Sequence, residues 1–164
     1  MADVTLILGG ARSGKTARAL SLTPTPRAYV ATAEARDGEM AERIAAHQAE
    51  RGTDWDLIEA PTDLVAAIKD ANGRALLIDC LTLWLSNLTA AERDIAAETD
   101  ALIKALKTAS GPIIFVSNEI GLGLVPMESL SRRFRDEQGR LNQRIAAAAD
   151  HVEFIAAGLP LRLK

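Results

Sequence analysis

Eight consecutive residues, Gly9-Gly10-Ala11-Arg12-Ser13-Gly14-Lys15-Thr16, fit the pattern G-x-x-x-x-G-K-[ST] in full. Glycines let the backbone turn through positive φ and wrap closely, so successive N–H groups point inward and form a nest for an anion. A helix starting at the end of such a turn adds its partial positive charge. Lys15 then reaches the β- and γ-phosphates of a nucleotide, and the Thr16 hydroxyl is a ligand for Mg²⁺. The chemistry implied is the binding of a nucleoside triphosphate. Asp79 closes the apolar run Ala75-Leu76-Leu77-Ile78. An acidic residue at such a strand end holds the metal of a phosphate loop, directly or through water; its bland alternative is to cap the helix that follows.

His47 is one of only two histidines. Helical spacing sets Met40, Ile44, His47 and Arg51 on one stripe, so an apolar anchor runs into a His/Arg end. A neutral imidazole there can attack phosphorus to give a phosphoramidate, with Arg51 one turn on to neutralise phosphate oxygens. Glu39, Glu42 and Glu50 read as the solvated face of the same helix, and His151 reads as structural. Residues 132–144 carry five arginines in thirteen positions, which reads either as an anion-binding or subunit-contact surface or as an ordinary solvated helix face. The segment Ser117-Asn118-Glu119-Ile120-Gly121-Leu122-Gly123 is a plain strand exit or a substrate loop at the carboxyl edge of a sheet. Cys80, Trp55 and Trp84 read as packing residues.

These groups need elements to hold them. Val4–Leu8, Ala28–Thr32, Ala75–Asp79, Ile113–Ser117 and Val152–Ala156 are short apolar runs, and the first four are nearly continuous, as strands covered on both faces must be. Leu161-Arg162-Leu163 reads as a last, alternating edge strand. Between the runs, Leu64, Val65 and Ile68 make a helical stripe, as do Ile95, Leu102, Ile103 and Leu106, and Leu141, Ile145 and Ala148. Strands alternating with helices predict an α/β fold over residues 1–164, one P-loop domain with a mainly parallel sheet and helices on both faces.

The composition fits a self-sufficient core. The 164 residues are 48% hydrophobic and 25% charged, which is not a disordered composition. Aromatics at 4% and a net charge of −3 leave neither stacking platforms nor a basic field for nucleic acid. A single cysteine, no basic start with an apolar h-region, and no apolar run approaching the ~20 residues of a membrane span predict a soluble, cytoplasmic chain. The phosphate loop alone leaves open a small-molecule kinase, a switch GTPase or an ATPase module. No N-K-x-D tetrad follows a strand, and Ser117-Asn118-Glu119-Ile120 stands in that kind of place. A kinase or other nucleotidyl-handling enzyme remains, with a nucleotide-binding switch or scaffold as the reading from another class.

Several stretches match one pattern in order along nearly the whole chain. After the phosphate loop come Tyr29-Val30-Ala31-Thr32, Asp37-Gly38-Glu39-Met40, Arg43-Ile44 with His47 and Arg51, Trp55 with Glu59, and Ile78-Asp79-Cys80-Leu81-Thr82. Asn118-Glu119-Ile120-Gly121-Leu122-Gly123-Leu124-Val125-Pro126, Phe134-Arg135-Asp136 and Gly139-Arg140-Leu141-Asn142-Gln143 complete it. In these the chain resembles the bifunctional adenosylcobinamide kinase / adenosylcobinamide-phosphate guanylyltransferase family of cobalamin biosynthesis. Thr16 stands where family members often have serine.

The resemblance implies a two-step enzyme. ATP or GTP first phosphorylates the hydroxyl of adenosylcobinamide; a histidine, here His47, then takes GMP from GTP and passes it to the cobinamide phosphate. The family's nucleotide contacts carry over to Gly9, Gly10, Ala11, Arg12, Ser13, Gly14, Lys15 and Thr16, then to Thr32, Ala33, Glu34, Gln48, Ala49, Glu50, Arg51, Glu59 and Asp79. It further implies Mg²⁺ and a homotrimer with active sites near subunit contacts.

Overall fold

The computed structural model describes residues 2–34, 45, 49 and 52–164. Seven strands form one sheet in the order β3-β2-β4-β5-β1-β6-β7. They are β1 (Val4–Gly9), β2 (Arg27–Ala31), β3 (Asp56–Glu59), β4 (Ala75–Asp79), β5 (Ile113–Asn118), β6 (His151–Ala156) and β7 (Leu159–Arg162). Every pairing is parallel except β6 with β7. The described helices are α1 (Lys15–Leu22), α2 (Leu64–Asp70), α3 (Leu81–Ala90), α4 (Ile95–Leu106) and α5 (Ser129–Ala148).

Alternate residues of the central strands enter different cores, which explains why the runs are apolar throughout. Leu6, Leu76, Ile78 and Phe115 pack with α2–α5 on one face, through Leu64, Leu81, Trp84, Leu102 and Ile145. Ile7, Leu77, Ile114 and Val116 face the other way, onto Ala19 and Leu20 of α1. The helix termini follow from local chemistry: the Asp63 and Asp94 side chains accept from Ala66 N and Ala97 N and so cap α2 and α4.

The expected parallel sheet is present, and two elements exceed the sequence reading. β3 is a four-residue, largely exposed edge strand with one partner, β2, so no buried run announces it. α3 buries Leu81, Trp84, Leu85 and Leu88, an i, i+3, i+4, i+7 stripe that the sequence reading did not single out. The stripe Met40, Ile44, His47 and Arg51 lies outside the described residues.

The strand order sets the site. One strand, β5, separates β1 from β4. The phosphate loop after β1 and the carboxylate ending β4 must therefore meet above the end of β5, at the carboxyl edge where ligands of open α/β sheets bind.

Candidate active site

The loop between β1 and α1 is fixed by backbone. Gly14 has φ +100° and stands at the N-cap of α1, with no side chain satisfying the first-turn amides, so those donors remain for a ligand. A Cβ on Gly9 would lie 2.6 Å from the Ile155 carbonyl oxygen and 2.6 Å from Ser13 Oγ. Gly158, at the turn of the β6–β7 hairpin, donates its N–H to the Ser13 carbonyl at 2.8 Å, and its Cα comes 3.2 Å from where a Cβ of Gly14 would stand. The hairpin thus braces the loop from behind. Ser13 Oγ is buried with no hydrogen-bond partner among the described residues, a donor left over inside the turn.

Lys15 is 7% exposed, and its ammonium donates to the Gly10 carbonyl at 2.5 Å. Burial pulls its pKa below the usual lysine value, with Cys80 and Asp79 pulling the other way. A polyphosphate would supply the anion that this buried cation lacks.

Across the end of β5, Thr16 Oγ1 donates to Asp79 Oδ2 at 3.0 Å. The same oxygen accepts from the hydroxyl of Tyr29, the single tyrosine, at 2.9 Å. Trp55 meets Tyr29 edge-on at 6.1 Å between ring centroids, and the Arg27 guanidinium lies 4.2 Å over the Trp55 ring. Tyr29 is therefore a positioning residue for Asp79 that the sequence reading did not single out. Its signal was available, because a phenol inside a buried strand needs a hydrogen-bond acceptor. A hydroxyl and a carboxylate oxygen side by side at the mouth of a phosphate loop fit Mg²⁺, which takes one or two protein oxygens and fills its shell with phosphate and water.

Thr32 is fully buried, donating its hydroxyl to the Cys80 carbonyl at 2.8 Å and accepting from Cys80 N at 2.7 Å. Its side chain clamps the end of β2 to the end of β4. Asn87 of α3 extends the clamp, donating to Thr32 O at 2.8 Å and Pro61 O at 2.9 Å. Ala33 is half-buried and Glu34 exposed, and Glu59 ends β3 opposite Ala31. These residues line up along the same sheet edge as the loop. Arg12 and Ala11 are exposed on its outer side, Arg12 at φ 54°. Of the remaining residues, Ala49 is exposed and helical, whereas His47, Gln48, Glu50 and Arg51 lie outside the described residues. Cys80 is an inert packing thiol, its pKa pushed up to about 12 by burial and the neighbouring Asp79.

A second constellation surrounds the end of β5. Ser117 Oγ donates to Asn142 Oδ1 at 2.7 Å, and Gln138 Nε2 donates to both Ser117 Oγ and Asn142 Oδ1 at 3.0 Å. Asn142 Nδ2 donates to the Asn118 carbonyl at 3.1 Å, and Thr82 Oγ1 accepts from Asn118 N at 2.9 Å. This buried network fastens α5 and α3 to the strand end, from which the next loop leaves with Glu119 N donating to Gly9 O at 3.0 Å. Sequence spacing gave no hint of it, because Gln138 and Asn142, one helical turn apart, meet Ser117 only across 21 and 25 residues of chain.

A glycine-rich turn joining strand to helix, a buried lysine, and a Thr–Asp pair across one intervening strand define a P-loop nucleotide-binding protein of the α/β class. The P4 protein of bacteriophage phi6, in complex with ADP, shares the fold at a TM-score of 0.52 and 15% identity, over 96% of this chain and 52% of that one. The phi13 P4 protein does so at 0.52 and 16%, over 98% and 53%; this chain spans about half the length of either. Residues 5–163 match the cobinamide kinase / cobinamide phosphate guanyltransferase family. The bifunctional adenosylcobalamin biosynthesis protein CobP of Pseudomonas aeruginosa is 48% identical over 97% of this chain and 96% of its own length. CobU of Salmonella typhimurium, of the same description, is 36% identical over 97% and 98%. The chain belongs to the cobinamide kinase / cobinamide phosphate guanyltransferase family, and it is a bifunctional transferase of cobalamin biosynthesis.

Proposed function

We propose that both activities use the phosphate loop of residues 9–16 and that His47 carries the guanylyl group. In the kinase step the acceptor hydroxyl attacks the γ-phosphorus of ATP or GTP, the Pγ–O bond to the β-phosphate breaks, and the nucleoside diphosphate leaves. In the transfer step an imidazole nitrogen of His47 attacks the α-phosphorus of GTP. A P–N bond forms, the bond to the β-phosphate breaks, pyrophosphate leaves with the electron pair, and the ring loses a proton. A phosphate oxygen of the cobinamide phosphate then displaces the imidazole, giving adenosylcobinamide-GDP. Lys15 and the amides of Gly10–Gly14 neutralise the charge that builds on the transferred groups.

The observation that carries the nucleotide half of this reading is the 3.0 Å contact between Thr16 and Asp79, which joins the phosphate loop to the strand end across β5; the His47 half rests on the family resemblance. Mg²⁺, held by these two, would screen the triphosphate when bound. Thr32, Ala33, Glu34, Gln48, Ala49, Glu50, Arg51 and Glu59 complete the nucleotide contacts in this reading, the enzyme assembles as a homotrimer, and it works in the cytoplasm. Among the described residues no helix is long and apolar enough to cross a membrane.

The test is labelling with GTP carrying ³²P at the α- or the γ-position. Acid-labile, base-stable α-label is expected on the wild-type protein and absent from His47→Ala, with no γ-label on either. Equal α-label on wild type and His47→Ala would remove His47 from the role.

A further inference from the structure

Beside the phosphate site lies a cleft that neither Lys15 nor the Thr16–Asp79 pair enters. Its volume is roughly 680 Å³, and it runs between the loop after β5 and the Arg132-to-Gln143 stretch of α5, within the size range of small-molecule sites. Arg132, Arg135 and Arg140 line it, with Asp136 as the one carboxylate among the lining residues. Gly139 lines it too, and a Cβ there would meet nothing within 4 Å, so this stretch of the wall is open.

Arg132 Nη1 donates to the carbonyls of Pro126 at 3.0 Å and Met127 at 2.6 Å, and Arg135 Nη2 donates to that of Gly121 at 2.6 Å. Arg140 Nη1 donates to Glu137 Oε1 at 2.6 Å. Each guanidinium has five N–H donors, so these bonds place the loop and the helix face and still leave donors for an anion. The same loop holds apolar side chains in water: Leu122 is 82% exposed, Leu124 97%, Val125 67% and Met127 94%. So much apolar surface in one short segment marks a binding surface.

The position completes the picture. Gly9 pairs with Asn118, and the loop starts at Glu119 with a backbone bond back to Gly9. None of residues 9–16 lines the cleft, which is joined to the phosphate loop through the loop after β5. Both reactions need an acceptor that approaches the nucleotide from beside that loop. In the second reaction the acceptor is a large macrocycle, rimmed by amide side chains over a hydrocarbon ring, that ends in a phosphate. Arginines at the wall match the phosphate, and Val125 at the wall, with its exposed neighbours Leu122, Leu124 and Met127, matches the hydrocarbon of the ring.

We propose that this cleft is the acceptor site, with Arg140 and Arg135 taking the acceptor's phosphate and Leu122, Leu124 and Met127 lying against the apolar faces of the macrocycle. The assignment rests on the family activity but not on the role given to His47. A second copy of this chain is the competing occupant. The three arginines in its wall favour a phosphorylated small molecule.

Equilibrium dialysis of the full-length protein with adenosylcobinamide and with its phosphate, read by corrin absorbance, measures binding without turnover. Arg140→Gln is expected to weaken the phosphorylated acceptor about tenfold, the loss of one charge-assisted contact, and the unphosphorylated one much less. Leu124→Ser is expected to weaken both equally. GTP affinity, measured in parallel, reports on the donor side and on folding. Unchanged binding of both corrinoids in both variants overturns the proposal. So does a Leu124→Ser protein that sediments as a smaller species while holding both corrinoids as wild type does, since the face would then be a subunit contact. Wild-type protein that binds the corrinoid phosphate but takes no α-label would instead fail the guanylyl-histidine and leave the cleft assignment standing.

Discussion

The two sides of the carboxyl edge are built by opposite means. On the phosphate side, contacts are backbone to backbone or made by buried side chains: Gly9 against the Ile155 carbonyl, Gly158 N on Ser13 O, Lys15 sunk into its own loop. On the β5–α5 side, residues 119–128 belong to no strand or helix, and surface arginines hold them by their carbonyls while the apolar side chains face water. A triphosphate is the same in every nucleotide, so a rigid nest of amides suffices for it. The acceptor is particular to this enzyme, and its recognition falls to side chains on an irregular segment, as is usual where a scaffold carries specificity on its loops. Substitutions in the backbone bracing of the first side should therefore disturb nucleotide binding and folding together, and those on the second should separate them.

The largest effect is expected from Lys15→Ala. Removing the ammonium should lower kcat/KM for GTP and ATP by about 10³-fold in both reactions, at the upper end for loss of one preorganised donor. The folded state should not suffer, because a buried cation is removed with nothing left unpaired but a carbonyl. Initial rates and a thermal melt check the two halves, and unchanged nucleotide affinity would mean the loop binds something else. Asp79→Asn follows. It keeps the shape but removes the charge that Thr16 and Tyr29 both address, and should cost about 10²-fold at fixed Mg²⁺ while raising the half-maximal Mg²⁺ about tenfold. A loss that rising Mg²⁺ does nothing to relieve would leave Asp79 a merely structural acceptor.

Gly9→Ala tests the bracing of the loop. The new Cβ would sit 2.6 Å from the Ile155 carbonyl oxygen, which is backbone and cannot rotate away. A loss of about 2 kcal/mol in urea unfolding is expected, together with weaker GTP binding. Retained stability would show that the β6–β7 hairpin yields easily.

The same contrast explains what could be read from the sequence. A phosphate loop is contiguous, so its eight residues reveal the motif, its strand and its helix in one stretch. Asp79 was legible because it ends an apolar run. The strand order was not, because sequence periodicity carries no information on neighbours, and the placement of β5 between β1 and β4 emerges only from pairing. Tyr29 and the Ser117–Gln138–Asn142 network escaped for a related reason: each is a polar group whose partner is 21 to 50 residues away. β3 escaped because an exposed edge strand needs no buried run. The arginine-rich segment could be seen but not decided, since its composition fits a solvated face as well as an anion site.

Glu153→Gln gives a smaller effect with a definite pH signature. Arg18 Nε and Nη2 grip the two carboxylate oxygens of Glu153 at 2.8 Å, tying α1 to β6. The hydrogen bonds from Arg18 hold the Glu153 pKa below the ordinary carboxylate value and raise that of Arg18. A depressed folded pKa contributes stability that is present above the unfolded value, about 4.3, and is lost as the pH falls through the folded one. At pH 7 the variant should be about 1 kcal/mol less stable than wild type. The gap should close as the pH is taken below 4, and a gap independent of pH would assign the loss to packing instead.

The smallest effect is the most informative about the acceptor side. Leu124 is 97% exposed and Met127 94%, so replacing both with serine removes almost no buried area, and the unfolding free energy should move by less than about 0.5 kcal/mol. The same double variant should nonetheless take up the corrinoid poorly, since a side chain already in water contributes nothing to the fold and its whole apolar area is free to be covered by a ligand. Stability and acceptor affinity would then come apart on this loop as they cannot at Gly9, where one collision damages both. Should the double serine variant melt well below wild type, these side chains are already covered in the folded protein, and the division of labour between the two sides of the sheet edge fails.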